Sequence, residues 1–420
     1  MPVVIEKLDA IEILDSRGRP TVLARLWATG AAAPARAAVP SGASTGSAEA
    51  IELRDGDGSR HAGRGCRGAV TSVNGQIAAA LVGRSFDSQQ QLDETLIRLD
   101  GTPDKSRLGA NAILGVSVAF ARATAVTERL PLYDVFAAGA GRGAASLPRP
   151  MINLFSGGKH AGGQVEIQDV LIIPRSTGTM DQALTVTCAV YAAASKLCAQ
   201  KYETRPLVAD EGGLAPPFAS SRHMIADAVE SIRLAGFDPG RDVALAIDFA
   251  SSHFYADGRY HIDGRTLSSG EMVDLVIAWV GEFPIISVED PLAEEDWAAW
   301  SILRARLGRR AMLVGDDLLC TNPVRVRRAI DSSSADALLL KVNQVGTVSE
   351  AAEALRLARG ADWRVVVSAR SGETEDDWLA DLAVGFGGDY IKIGSITRSE
   401  RLAKYNRLLE IGHDSGFAIR

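Results

Sequence analysis

The chain has 420 residues, a formal net charge of -7, 23% charged and 46% hydrophobic residues. That balance is ordinary for a soluble globular protein and offers no basic footprint for nucleic acid or an anionic membrane. The length exceeds one small core and predicts two domains, one of them of barrel size.

Residues 3–40 alternate apolar and polar positions and break at Asp15-Ser-Arg-Gly18 and Arg19-Pro20, which predicts a small antiparallel sheet with a tight turn. The start on strand-like Val-Val-Ile, and the lack of any run of about 18 apolar residues, predict no secretory leader, no membrane span and a cytoplasmic protein. Cys66, Cys188, Cys198 and Cys320 lack metal or redox spacing and read as reduced, mostly buried thiols. Val39-Pro-Ser-Gly-Ala-Ser-Thr-Gly46 is a loop able to fold over a ligand, without the Gly-Lys-Ser/Thr ending of a nucleotide-binding loop. Helical periodicity runs through 66–82, 86–99 and 109–129. Residues 139–146 lack periodicity, so the predicted layout is an α+β cap over 1–138 and a barrel over 139–420.

Gly157-Gly-Lys-His160-Ala-Gly-Gly163 carries one imidazole among glycines, a composition suited to a closing lid. Asp210-Glu211-Gly-Gly213 sets two carboxylates before a glycine pair and makes Glu211 a candidate acid or base. Short apolar runs then end, one after another, in a polar or charged residue: Asp248, Glu289, Asp316, Lys341, Ser368 and Lys392. Successive run ends lie 24 to 41 residues apart, room for a buried parallel strand, a return helix and loops. This is the pattern of a (β/α)8 barrel with its site at the strand ends. Asp248, Glu289 and Asp316 together suit a hard cation such as Mg²⁺. Lys341 at the next strand end would have its ammonium disfavoured by burial and nearby cations, and so could act as a base.

These motifs resemble the enolase family along almost the whole chain. The resemblance also rests on Glu12-Ile-Leu-Asp-Ser-Arg-Gly18, Leu108-Gly-Ala-Asn-Ala-Ile-Leu-Gly115, Ser287-Val-Glu-Asp-Pro291, Val314-Gly-Asp-Asp317, Leu340-Lys-Val-Asn-Gln344, Arg370-Ser-Gly-Glu-Thr-Glu-Asp376 and Arg398-Ser-Glu-Arg-Leu-Ala-Lys404. It implies an α/β fold, an N-terminal α+β cap on a C-terminal modified (β/α)8 barrel. It also implies two Mg²⁺ ions, one on Asp248, Glu289 and Asp316 and one meeting Ser44. By resemblance Lys341 is the base, Glu211 the acid, and Lys392 the partner of the substrate carboxylate. Arg370 and Ser371 would hold the phosphate, His160 would lie on the closing loop, and Gln168 would line the site. A homodimer or higher homo-oligomer is implied as well.

The chain departs from the family pattern at Ala369, where enolases have His, and at Asp169, where they have Glu. Ile393 replaces Thr, and His253 replaces Glu without a role that the sequence suggests. By the same resemblance, the first two changes fall on the side of the site that handles the departing hydroxyl, and both remove bulk. They predict altered leaving-group chemistry on a phosphorylated or phosphonylated three-carbon carboxylate. The model for this is the carboxyphosphonoenolpyruvate synthase type of phosphonate antibiotic biosynthesis, with a cytidylyl-activated phosphonate as co-substrate. The alternatives are an ordinary glycolytic enolase and a non-catalytic, enolase-derived binding protein.

Overall fold

The alternating strand Val3–Leu14 buries Val3, Ile5, Leu8 and Ala10 against the helices and turns its other face outward. Asp15 closes the turn into Pro20–Ala28 by accepting the backbone N–H groups of Arg17 and Arg19 at 2.8 and 3.0 Å. With Ala35–Ala38 and Ser85–Phe86 these strands form an antiparallel sheet of four. This is a computed structural model, and it describes residues 1–420 apart from Ser44, Thr45 and Arg142.

Helix Ala110–Glu128 lies on that sheet and is apolar nearly all round. By length and composition it could cross a membrane, but its most apolar window is 78% buried inside the fold, which marks a core helix. Helices Gln89–Asp100 and Leu132–Gly139 complete the cap.

Eight strands close the barrel. In chain order they are Arg149–Ser156, Asp169–Pro174, Val243–Asp248, Ile285–Glu289, Met312–Gly315, Ala337–Leu340, Arg364–Ser368 and Tyr390–Gly394. Asp169–Pro174 runs antiparallel to both neighbours and all other pairs are parallel. The loop before it holds one short turn of helix, too little for the crossover that a parallel return needs. Two helices in succession, Met180–Tyr202 and Ser221–Leu234, then restore the direction. Met151, Leu171, Ile173, Ala246, Val314, Ala337, Leu339 and Val366 fill the barrel interior as a separate apolar cluster.

The cap covers the ends of the strands. Ser41 and Gly372 exchange both backbone hydrogen bonds at 2.8 and 2.9 Å. Arg122 pairs with Asp376 at 2.6 Å and Asp377 at 2.8 Å, and the Trp378 indole donates to the Ala38 carbonyl at 3.2 Å.

Candidate active site

Parallel strands in register bring their last residues to one level. Asp248 and Glu289 are paired neighbours at that level. Lys392, from the strand Tyr390–Gly394, reaches between them. Its Nζ lies 2.8 Å from Asp248 Oδ2 and 2.8 Å from each Glu289 oxygen. Next round the barrel, Lys341 Nζ meets Asp316 Oδ2 at 2.5 Å, and Gln344 Nε2 donates to Asp316 Oδ1 at 2.9 Å. Gln168 Nε2 donates to Asp248 Oδ2 at 3.1 Å, while its Oε1 is buried without a hydrogen-bond partner.

The charges follow from burial set against these partners. Burial and the Asp248 charge push the Glu289 carboxyl well above its ordinary range, against Lys392. At Asp248 burial is outweighed by Lys392 and Lys341, which hold its pKa down. Burial opposes the ammonium of Lys341, but Asp316 outweighs it and the lysine is raised. The expected depressed lysine is therefore not found in this state, because its nearest neighbour is an anion. Lys392 is lifted well up against burial by Asp248 and Glu289.

Arg370 follows the strand Arg364–Ser368 and forks onto Glu49 of the cap, at 3.0 Å to Oε2 and 3.2 Å to Oε1, with Asn343 Oδ1 at 2.9 Å. Arg401 is fully buried and donates to the carbonyls of Arg370 at 2.6 Å and Ser371 at 2.5 Å, which fixes the turn carrying both.

His160 is folded inward and buried. Its Nδ1 lies 2.9 Å from Asp169 Oδ2, and its Nε2 lies 3.1 Å from Ser371 Oγ and 3.6 Å from Glu211 Oε1. Ser156 Oγ donates to the other Asp169 oxygen at 2.5 Å, and Asn153 Nδ2 donates to Glu211 Oε2 at 3.1 Å. Burial disfavours the imidazolium, but Asp169 and Glu211 lift the His160 pKa to about 9. Burial raises the Asp169 carboxyl, against the pull of His160. Glu211 is held down to about 2: burial works against it, and the charges of His160, Arg401 and Lys392 prevail.

Ala369 bounds the site with a methyl group. Little open space stands beside Ala369, and His160 lies against the shortened carboxylate of Asp169. The remaining enclosed cavity, bounded by His160, Glu211, Lys341, Ala369, Arg370 and Lys392, is only about 20 Å³, little more than one water occupies.

Most of the sequence-predicted residues line this cavity, and Asp169, Glu289 and Asp316 stand behind it, bonded to His160, Lys392 and Lys341; Ser44 lies outside the described residues. Asp248, Glu289 and Asp316 are divided between two lysines rather than drawn into one tight cluster. The closest acidic groupings among the described residues are Asp290 with Asp316 and Asp317, and His160 with Asp169 and Glu211. Asp290 is already engaged, accepting the backbone N–H groups of Asp316 and Asp317 at 2.9 and 2.7 Å. The buried oxygen donors suit a hard dication. Two ammonium groups now supply the positive charge they require, and the unpaired Gln168 oxygen is a further available donor. Sequence reasoning missed Glu49, Asn343, Gln344 and Arg401. The last three lie inside motifs already singled out, whereas nothing local marks Glu49.

Buried acids and lysines at barrel strand ends, under an α+β cap, define a capped α/β-barrel enzyme. A family model described as "Enolase, C-terminal TIM barrel domain" matches residues 144–418, and one described as "Enolase, N-terminal domain" matches 5–136. The chain belongs to the enolase family. It is 48% identical over 417 residues to "Enolase" from Acidothermus cellulolyticus, covering 99% of this chain and 96% of that one. It is 47% identical over 423 residues to "Enolase 1" from Methylococcus capsulatus, covering 100% and 99%.

Proposed function

We propose that the protein is a Mg²⁺-dependent enolase that dehydrates 2-phosphoglycerate to phosphoenolpyruvate. One observation carries this: Lys341 and Lys392 stand among buried carboxylates on one side of a closed cavity, with Glu211 and His160 among the residues bounding the same cavity. Asp248, Glu289 and Asp316 would hold one Mg²⁺, and Ser44 would contribute to a second. The bound dications supply positive charge that offsets the charge building on the substrate carboxylate.

Lys341 removes the α-proton. With the Asp316 carboxylate otherwise engaged, burial and the charges of Arg370 and Lys392 remain to lower its pKa and free its lone pair. Lys392 binds the substrate carboxylate in place of its present acid partners. Arg370 and Ser371 bind the phosphate, and Glu49 now occupies that guanidinium as an intramolecular anion. Glu211 is ionised here, so the proton for the departing hydroxyl resides on His160, which Asp169 orients. Gln168 fixes Asp248, and Ala369 closes the wall.

This reading replaces the altered leaving-group chemistry drawn from Ala369 and Asp169. The relatives that match end to end are named enolases, and that likeness favours the ordinary reaction. The assembly expected with it is a homodimer or larger, which light scattering measures. The functional test is an assay with 2-phosphoglycerate and Mg²⁺ that follows phosphoenolpyruvate in the ultraviolet. The expected turnover is on the order of 10–100 s⁻¹, with Lys341→Ala abolishing both turnover and α-proton exchange in D₂O. A trace rate in the native protein would overturn the assignment and restore the phosphonate reading.

A further inference from the structure

The far end of the barrel, where the strands begin, carries a second concentration of charge. Arg149 and Arg364 open their strands, Arg359 lies in the last turn of helix Val348–Gly360, and Arg420 comes in beside them. With Asp389 and Tyr390 they line an open hollow of about 590 Å³. Strands of four or five residues put it roughly 10–13 Å from the catalytic end, on the opposite face of the barrel, so the proposed reaction does not explain it.

Asp389 is the single side-chain carboxylate of the hollow, and three arginines share it. Arg359 lies at 2.6 Å, Arg364 at 2.9 Å and Arg420 at 3.5 Å, and the Val365 N–H also donates to it at 2.9 Å. Arg149 donates to the main-chain oxygens of Pro174 at 2.6 Å and Arg420 at 2.8 Å, with the Thr177 carbonyl and hydroxyl more distant at 3.4 Å. Even with a main-chain carboxylate at Arg420 counted, four guanidinium groups exceed the negative charge that faces them. Burial, with the nearby Arg175 charge and against Tyr390, also pushes the Arg149 pKa down. Arg359 also donates to the Trp363 and Gly387 carbonyls at 3.1 and 2.7 Å and Arg420 to Gly387 at 2.9 Å, but carbonyl oxygens carry no full charge. A surplus gathered in one hollow, in a chain whose net charge is -7, requires a different account. Planar guanidinium forks match phosphate oxygens two at a time.

We propose that the hollow at the barrel floor is a second anion site, which takes a small, multiply charged phosphate between Arg149, Arg359, Arg364 and Arg420. A phosphate there would tie two strand starts, a helix end and residue 420 together, without reaching the catalytic cavity.

The test is calorimetric titration of the full-length protein with inorganic pyrophosphate in Mg²⁺-free buffer. Arg364→Gln is the principal variant, since the Arg364 side chain is 63% exposed and its loss leaves the core intact. It should weaken pyrophosphate binding at least tenfold while turnover of 2-phosphoglycerate stays at the native value. Arg149→Lys keeps the charge but loses the fork, and should weaken binding too. Arg370→Gln, in the catalytic cavity, should leave this binding unchanged. Native-like affinity in Arg364→Gln would overturn the proposal. So would loss of binding in Arg370→Gln alone, which would put the anion in the catalytic cavity, or no binding by the native protein at millimolar pyrophosphate. None of these outcomes depends on whether 2-phosphoglycerate is the true substrate.

Discussion

His160 is where the chain's departures from the family pattern meet. Taken one at a time, Ala369 and Asp169 each remove bulk, and their sum suggests a roomier site. In the fold an imidazole from a glycine-flanked loop stands against Asp169, with Ser371 and Glu211 on its other nitrogen. That inward placement is not legible in the sequence, because it depends on where a loop turns. The presence of both residues in the site was legible from their motifs. A pH dependence follows. His160 is raised from 6.5 to about 9, since Asp169 and Glu211 outweigh burial. A raised pKa contributes stability that is complete below about pH 6.5 and is lost as pH climbs through 9. The loss is on the order of 3 kcal/mol. Urea denaturation of the native protein at pH 6, 7.5 and 9.5 should show the decline, and His160→Gln should show a flatter profile. Parallel profiles would mean that the buried imidazole is uncharged.

Elements were legible where their period was strong and where the chain repeats one unit. The apolar runs ending at Asp248, Glu289, Asp316, Lys341, Ser368 and Lys392 are strands or lead straight into their ends. The first two barrel strands were not singled out, because a glycine-rich loop and two helices replace the regular alternation there, and only that loop's length forces Asp169–Pro174 to run backwards. Ile393, a departure without a sequence account, proves to be a fully buried core side chain. His253 lies in the single turn Ser251–Phe254, where burial and Lys159 push its pKa down to about 4, so it is neutral near pH 7. Contacts between elements are less legible still. Helix Trp378–Gly385 lies against Leu132–Gly139 of the cap, and a Cβ added at Gly385 would come 2.4 Å from the Tyr133 carbonyl oxygen and 2.7 Å from Phe136 Cβ. Backbone cannot yield as a flexible side chain can, so Gly385→Ala should destabilise by about 1–3 kcal/mol. Thermal denaturation reads this directly, with turnover at low temperature kept. A variant as stable as the native protein would show that the two helices are free to separate.

On the scale of the whole molecule, the site without ligand is neutralised by its own side chains. Lys392 lies on Asp248 and Glu289, Lys341 on Asp316, and Arg370 on Glu49. The last pair joins the cap to the barrel beside the Ser41–Gly372 bridge. The two-domain layout could be read from the sequence because its motifs are long and ordered. The closing contacts could not, because Glu49 carries no local mark and meets Arg370 across a sequence separation of 321. Since Asp248, Glu289 and Asp316 each already face a lysine, metal removal should not unfold the protein, unlike a structural zinc domain whose folding depends on its ion. Ligand should still stabilise it, by the logarithm of its saturation: about 2.7 kcal/mol at a hundred times Kd. With an unfolding entropy of roughly 2.1 cal/mol/K per residue, a chain of 420 residues should melt about 3 °C higher. Scanning calorimetry should therefore give a folded protein in EDTA and a small upward shift with Mg²⁺ and 2-phosphoglycerate together. Asp316→Asn should lose that shift, having given up one of the proposed metal oxygens. Collapse of the native protein in EDTA would show that the lysines do not balance the acids. A full shift in Asp316→Asn would show that this carboxylate is not among the ligands.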